Sequence, residues 1–141
     1  MIKSNRQIEL GGIMIGFWIF MLIMDLLIPC TMIGFGKLFL NRAPKNINYT
    51  FGYRTPMSMK NQDTWQFAHK HCGKLWFLGG LILLPASVIP LLFVFGREIE
   101  TVAAVGAVVC FAQIVPLAGS VIPTELALKK AFDKNGKRKT S

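Results

Sequence analysis

Apolar residues dominate three long stretches of the chain, at residues 10–40, 73–95 and 102–123. A transmembrane α-helix needs roughly 20 consecutive apolar residues, and each stretch is long enough. The pattern therefore predicts an all-α membrane protein with three transmembrane helices. These spans and the segments that join them form a single membrane domain over residues 1–141.

Residues 41–72 form a long polar segment between the first two spans. Pro44 and Pro56 disfavour the helical conformation in the residues before them, so the first part is predicted to be a loop. From residue 61 the spacing becomes helical, and Ser58 or Asn61 can cap the new helix. The side chains at this helical spacing are Trp65, Ala68, His69, Cys72 and Trp76. The segment thus predicts a loop and an amphipathic helix that continues into the second span.

Small residues four positions apart predict faces on which helices approach closely. Such pairs are Gly12 with Gly16 in the first span, and Ala103 with Ala107 and Gly106 with Cys110 in the third. These faces are also suited to contacts between copies of the chain, so a homo-oligomer is compatible with the sequence.

The formal net charge of +9 is best interpreted from the positions of the basic residues along the chain. All Lys and Arg residues except Lys3, Arg6 and Arg97 lie at residues 37–74 or in the basic tail, residues 129–141. Positive charge marks the cytoplasmic side of a membrane protein. We therefore expect a multi-pass protein of the cell membrane with its N-terminus outside, and its polar loop and C-terminus in the cytoplasm. The basic charge then indicates lipid headgroups as partners rather than nucleic acid, and the tail is predicted to fray.

Arg54 lies in the turn-like sequence from Gly52 to Pro56. Its planar guanidinium can bind a carboxylate, a lipid phosphate or a protein partner. It can equally serve the fold by donating to loop carbonyl groups, and the sequence leaves both alternatives open. Trp65 and Trp76 are predicted to anchor the chain at the membrane interface, where tryptophan is favoured.

Asp25 is the one acidic residue deep inside a predicted span, and Gln113 is the central polar residue of the third. A carboxylate in a membrane is costly and normally has a partner. Asp25 can carry a proton or bind a cationic substrate, or it can form a structural helix contact, for example with Gln113.

The remaining chemistry-bearing residues give no pattern typical of a metal site or an active site. Cys30, Cys72 and Cys110 form no C-x-x-C motif, and we interpret them as small apolar residues. His69 and His71 lie on different faces of a helix, without a third ligand. No metal, no cofactor and no nucleophile–base pair is indicated, so an enzyme is not favoured.

The segment from Asn41 to Gly80 resembles the SdpI family of bacterial inner-membrane proteins. The residues that carry the resemblance as a candidate binding or structural motif are Gly52, Tyr53, Arg54, Thr55, Pro56, Ser58, Lys60, Asn61, Trp65, Gly73 and Lys74. The resemblance implies a role in immunity to a secreted toxin, or in signal transduction through a cytoplasmic regulator.

Three hypotheses follow from these observations. The first is a non-enzymatic protein that gives immunity to an antimicrobial peptide toxin, or signals its presence, by binding a toxin, lipid or protein partner. The alternative is a small oligomeric transporter or ion-coupled channel that uses Asp25. The third is a membrane enzyme acting on lipid, with His69 or His71 as its base.

Overall fold

The computed structural model describes residues 1–140, which form four α-helices. These are α1 (Ile2–Arg42), α2 (Gln62–Phe93), α3 (Ile99–Gly119) and α4 (Val121–Ala131). Three helical stretches are long and apolar enough to cross a membrane: Ile2–Arg42, Gln62–Phe93 and Ile99–Ala131. The predicted all-α membrane architecture is therefore confirmed. The amphipathic helix and the second span are one continuous helix, as the spacing predicted.

Helix α1 is longer than the bilayer requires and extends past its neighbours. Its 41 residues span about 60 Å at ~1.5 Å per residue, against a hydrocarbon core of roughly 30 Å. Trp18 lies beside the end of α2, because its indole N–H donates to the Leu91 carbonyl at 2.7 Å. Its ring also packs edge-on against Phe95, with centroids 4.9 Å apart. Most residues before Trp18 are exposed.

Glycines bring α1 and α2 into close contact. Gly36, Gly73 and Gly80 lie at points where the helices leave no room for a side chain. A methyl group on Gly36 would overlap the backbone of Phe77, and one on Gly80 would lie 2.9 Å from the Pro29 carbonyl oxygen. The two backbones can therefore approach each other as closely as small residues allow in membrane helices.

The small-residue face predicted at Gly12 and Gly16 makes no such contact in this chain. A side chain at either position would have no atom within 4 Å. No helix within residues 1–140 packs on this face because α1 extends beyond α2 and α3 here, so its suitability for contact with another copy stays a prediction. In α3, Gly106 packs against Met21 of α1 whereas Ala107 is exposed, so only one of the two predicted pairs turns inward.

The C-terminal tail was expected to fray, but residues 132–139 are folded back against the helices, and Ser141 lies outside the described residues. Phe132 is only 1% exposed and packs with Ala68 and Leu128. An isolated bridge joins Phe132 to Arg138, and Gly136 allows the turn between them with φ +79°. The prediction was based on the basic composition of the tail, whereas burial of the Phe132 side chain anchors the tail to the helices.

We expect Gly36→Ala to destabilise the bundle and Gly12→Ala to leave it unchanged or slightly more stable. The first variant forces α1 and α2 apart at a cost of about 1–3 kcal/mol, typical of overpacking. Thermal unfolding of the purified chain in detergent measures both. Equal melting temperatures for the two variants would contradict the assigned helix contact.

Candidate functional site

One end of the bundle carries a polar cap, which consists of the loop at residues 43–61, the first turns of α2, helix α4 and the tail at residues 132–139. The loop and the tail therefore lie on the same side, as a three-span topology requires. Asn61 Nδ2 donates to the Gly136 carbonyl at 2.7 Å and joins the loop to the tail, and Tyr53 Oη donates to Glu125 Oε1 at 2.9 Å and joins the loop to α4.

Trp65 holds the start of the loop against α2. It is fully buried, and its indole N–H donates to the Pro44 carbonyl at 2.8 Å. Gln66 Nε2 reaches the same carbonyl at 3.2 Å. Trp65 is therefore not the interfacial anchor that its residue type indicated. The loop supplies the partner that its N–H needs, which makes full burial of the ring favourable.

His69 fixes the central part of the loop. Its Nε2 accepts the backbone N–H of Tyr53 at 3.0 Å, and its Nδ1 lies 2.8 Å from the Trp65 carbonyl. An N–H group can only donate and a carbonyl can only accept, so the imidazole is neutral with its proton on Nδ1. Gly52 passes directly over this ring with φ +116°, where a side chain would collide with the imidazole.

This arrangement bears on the hypothesis that a histidine acts as a base. Both nitrogens of His69 are hydrogen-bonded and the side chain is fully buried. It has no lone pair available for a substrate. His71 is half-buried, and its Nδ1 lies 3.4 Å from Thr124 Oγ1.

Tyr53 attaches the loop to α4. The side chain is 8% exposed, and its hydroxyl contacts both Glu125 and the Val121 carbonyl. Burial raises the pKa of Tyr53 well above its usual range, and the hydrogen bond to Glu125 adds to the shift. The sequence placed Glu125 at the edge of the third span without a role. The signal in the sequence that could have found this contact was the position of Glu125 at the edge of the span, on the side predicted for the loop.

Two short hydrogen-bonded units shape the rest of the loop. Thr55 and Ser58 each accept the other's backbone N–H through their hydroxyl oxygens, at 3.1 and 2.9 Å. Asn61, rather than Ser58, caps α2: it forms a capping box with Thr64, in which each side chain accepts the other's backbone N–H. Ser58 is buried and instead donates to the Tyr53 carbonyl at 3.0 Å.

The residues around this cap hold the tail. Lys60 Nζ donates to the Lys134 carbonyl, and Asp63 receives two hydrogen bonds from Arg138 at 2.7 and 2.8 Å. The ion pair is exposed, with side chains 63% and 49% accessible, so solvent screens it and it contributes little to the attachment. Burial of Phe132 supplies the larger share of the attachment, since truncating a buried phenylalanine costs roughly 3–5 kcal/mol.

Arg54 differs from its neighbours because its side chain is exposed. Its Nη1 donates to the Tyr49 carbonyl in the same loop. Among residues 1–140, the guanidinium makes no other hydrogen bond. Arg54 thus serves the fold through one hydrogen bond to a loop carbonyl, and its other N–H groups are free to bind a partner. Both alternatives that the sequence left open therefore apply to it.

The remaining motif residues, Gly73, Lys74 and Pro56, and the second predicted anchor, Trp76, differ in their burial. Gly73 lies in the close contact between α1 and α2, beside Phe39 and Gly36. Trp76 is half-buried and donates from its indole N–H to Ser120 Oγ at 2.7 Å, at the junction of α3 and α4. Lys74 and Pro56 are exposed.

Two open pockets with basic rims lie on the polar cap. One of about 510 Å³ contains Met57 and Phe132 together with four lysines, Lys60, Lys129, Lys134 and Lys139, and the acid Asp133. The other, of about 540 Å³, lies between the end of α1 and the start of α2, beside Arg42, Lys45 and Lys70. Both combine apolar surface with positive charge, which suits lipid headgroups.

Inside the bundle, the structure brings Asp25 and Gln113 together, as one of the alternatives supposed. Gln113 Nε2 donates to the backbone carbonyl of Asp25 at 3.0 Å, not to its carboxylate. Pro29, four residues later, has no N–H to offer this carbonyl. Gln113 therefore satisfies an acceptor that a proline in α1 leaves free.

Within the part of the chain that the structure describes, no group of three or more His, Cys, Asp or Glu residues is placed to hold a metal ion. Cys30, Cys72 and Cys110 are all free thiols.

A sequence model of the SdpI/YfhL protein family matches residues 45–124, which include the loop, the α2 cap and the start of α4. "Uncharacterized protein YfhL" of Bacillus subtilis (strain 168) is 43% identical to the chain over 47 residues. The aligned region covers 33% of this chain and 40% of that relative, so the match spans less than half the length of either protein. No solved structure matches the chain.

We expect Tyr53→Phe to lower the free energy of unfolding by about 1–3 kcal/mol at neutral pH, since a partly buried hydrogen bond to a carboxylate is lost. The difference from wild type should shrink as the pH rises above about 10, the pKa of an unfolded tyrosine. Because the pKa of Tyr53 is higher in the folded than in the unfolded chain, the stabilisation is complete below about pH 10. It is lost as the pH rises through the folded-state pKa. Thermal unfolding in detergent over a pH series measures it.

Tyr49→Phe is the matched control, because Tyr49 is 84% exposed. An equal loss of stability in both variants would mean that the Tyr53–Glu125 contact contributes nothing specific.

Proposed function

This chain belongs to the SdpI/YfhL protein family, and from that membership we propose that it gives a bacterium immunity to an antimicrobial peptide toxin or signals the toxin's presence. In this proposal the protein acts by binding a toxin, a lipid or a protein partner in the membrane, and catalyses no reaction.

One observation carries the proposal: the family-matched loop is held rigidly, yet it presents a single arginine outward. Tyr53 and Ser58 are buried and hydrogen-bonded, and His69 accepts the backbone N–H of Tyr53. Arg54 lies between those two residues and is exposed. A residue placed on a rigid support loses little conformational freedom when it binds a partner.

The chemistry of Arg54 indicates the kind of partner. A guanidinium binds carboxylates and phosphates through two parallel hydrogen bonds, which a lysine ammonium cannot reproduce. A carboxylate of an intruding peptide or the phosphate of a lipid that the peptide displaces would both fit. The basic pockets of the polar cap lie on the same end of the protein and add attraction for anionic groups.

We also propose that the polar cap faces the cytoplasm and that the N-terminus lies outside. The cap carries most of the basic residues of the chain. The other end carries Arg97 and Glu98 in the turn between α2 and α3, and Glu100 in the first turn of α3. The positive-inside bias supports this orientation. The binding surface would then lie on the cytoplasmic face of the membrane, where a toxin that has crossed the bilayer could reach it.

Survival of a toxin-sensitive bacterial strain tests the proposal. We expect wild-type protein to protect cells from pore-forming or membrane-depolarising peptides, and Arg54→Ala to lose this protection at equal membrane abundance, measured by blot. Arg54→Lys should protect partially, since it keeps the charge and loses the paired hydrogen bonds.

Arg97→Ala is the matched control, because Arg97 is exposed at the opposite end of the protein. It should protect like wild type. Full protection by Arg54→Ala would remove the assigned binding surface, and absence of protection by wild type against every peptide would refute the immunity role.

A further inference from the structure

The interior of the bundle contains a cluster of polar groups in which every hydrogen-bond donor is used. Gln113 donates both of its amide hydrogens, to the Asp25 carbonyl at 3.0 Å and to Ser87 Oγ at 2.7 Å. Ser87 donates its only hydroxyl hydrogen to the Leu83 carbonyl at 2.6 Å. The indole N–H of Trp18 is engaged by Leu91. No donor remains for any further acceptor in the cluster.

Three acceptor oxygens in the same cluster have no partner among the described residues. They are both carboxylate oxygens of Asp25 and Oε1 of Gln113. Asp25 is 0% exposed and Gln113 is 2% exposed. Buried polar atoms are rarely left unpaired, because each one costs the full free energy of its desolvation. The missing component must therefore be a donor or a positive charge.

The chain itself supplies no positive charge at this depth. In residues 11–36 of α1, 75–96 of α2 and 101–124 of α3 and α4, Asp25 is the only residue that can carry a full charge near neutral pH. The other titratable side chains there are the thiols of Cys30 on α1 and Cys110 on α3, and α2 contributes none. An ionised Asp25 would thus be an isolated charge in a membrane interior.

The space around the carboxylate is narrow. A methyl group added to Gly106 of α3 would lie 3.4 Å from Asp25 Oδ2 and would collide with the Met21 side chain. Oδ2 of Asp25 therefore faces the backbone of α3 at Gly106 at close range. The three unpaired oxygens belong to α1 and α3, so an occupant would link these two helices.

We propose that Asp25, with Gln113 Oε1 beside it, is a binding site for a small cation without its hydration shell, either a proton or a sodium ion. Both supply the positive charge that the three oxygens lack. Occupancy neutralises the carboxylate and stabilises the packing of α1 against α3. The site is separate from the polar cap and does not depend on the role proposed for Arg54.

Dicyclohexylcarbodiimide tests the site, because it partitions into membranes and reacts with a protonated carboxyl group. The carboxyl oxygen bonds to the central carbon of the reagent while the proton moves to one of its nitrogens. We expect labelling of the full-length chain in detergent, detected by intact mass, to be lost in Asp25→Asn. Glu9→Gln, which changes an exposed acid on the same helix, should leave labelling unchanged.

Two further arms distinguish the cations. Labelling that falls as sodium chloride replaces choline chloride at constant pH identifies sodium as an occupant that competes with the proton. Labelling that falls with rising pH and ignores sodium identifies the proton alone. Either result supports the site.

Thermal unfolding of wild type and Asp25→Asn over the same pH and sodium series covers the case in which the reagent does not reach the carboxyl group. We expect the wild-type melting temperature to depend on pH or sodium and that of Asp25→Asn to lose this dependence. Identical labelling together with identical melting behaviour in the two proteins would overturn the proposal.

Discussion

The imidazole of His69 is the contact on which the polar cap depends. It joins the loop to α2 by accepting the Tyr53 N–H, and it is itself oriented by the Trp65 carbonyl one turn earlier. Gly52 can pass over the ring only because it has no side chain. Once the loop is fixed there, the Tyr53 side chain reaches α4, Ser58 closes the next turn, and the tail finds its contacts beside Asn61.

The same physical requirement governs the membrane interior. Polar groups in lipid have no water to bind, so they must be satisfied within the chain. Pro29 frees a carbonyl in α1 and Gln113 of α3 occupies it, which makes a proline and a glutamine on different helices one structural unit. Glycines at the crossing of α1 and α2 bring the backbones together, and a side chain on Gly80 would lie 2.9 Å from the Pro29 carbonyl oxygen.

The protein therefore has two separate regions. The rigid polar cap exposes the side chain of Arg54, and the helix bundle buries the Asp25 carboxylate without a charged partner. Four of the eleven residues of the family-like motif are buried: Tyr53, Ser58, Trp65 and Gly73. The hydrogen bonds of Tyr53, Ser58, Asn61 and Trp65 hold the cap together. The structural role of these residues also means that the candidate binding chemistry is concentrated in Arg54 and in the lysines around Phe132. The separation allows toxin or lipid binding and cation binding to be examined independently.

The sequence alone was sufficient for the three spans, the continuation of the amphipathic helix into the second span, and the family resemblance. Length and hydropathy determine where a chain can cross lipid, and helical spacing is a local property. It also gave a contact between Asp25 and Gln113 as one alternative, because a polar residue in a membrane needs a partner.

Tertiary structure decided which residues of a given type are buried and with what partner. Trp65 and Phe132 became core residues because the loop and the tail fold onto α2, and no local pattern encodes that fold-back. Gly36 rather than Gly12 forms the close helix contact because only the former has a neighbouring helix. Hydrogen bonds such as Tyr53 to Glu125 join residues 72 positions apart, so they depend on three-dimensional proximity that residue spacing does not contain.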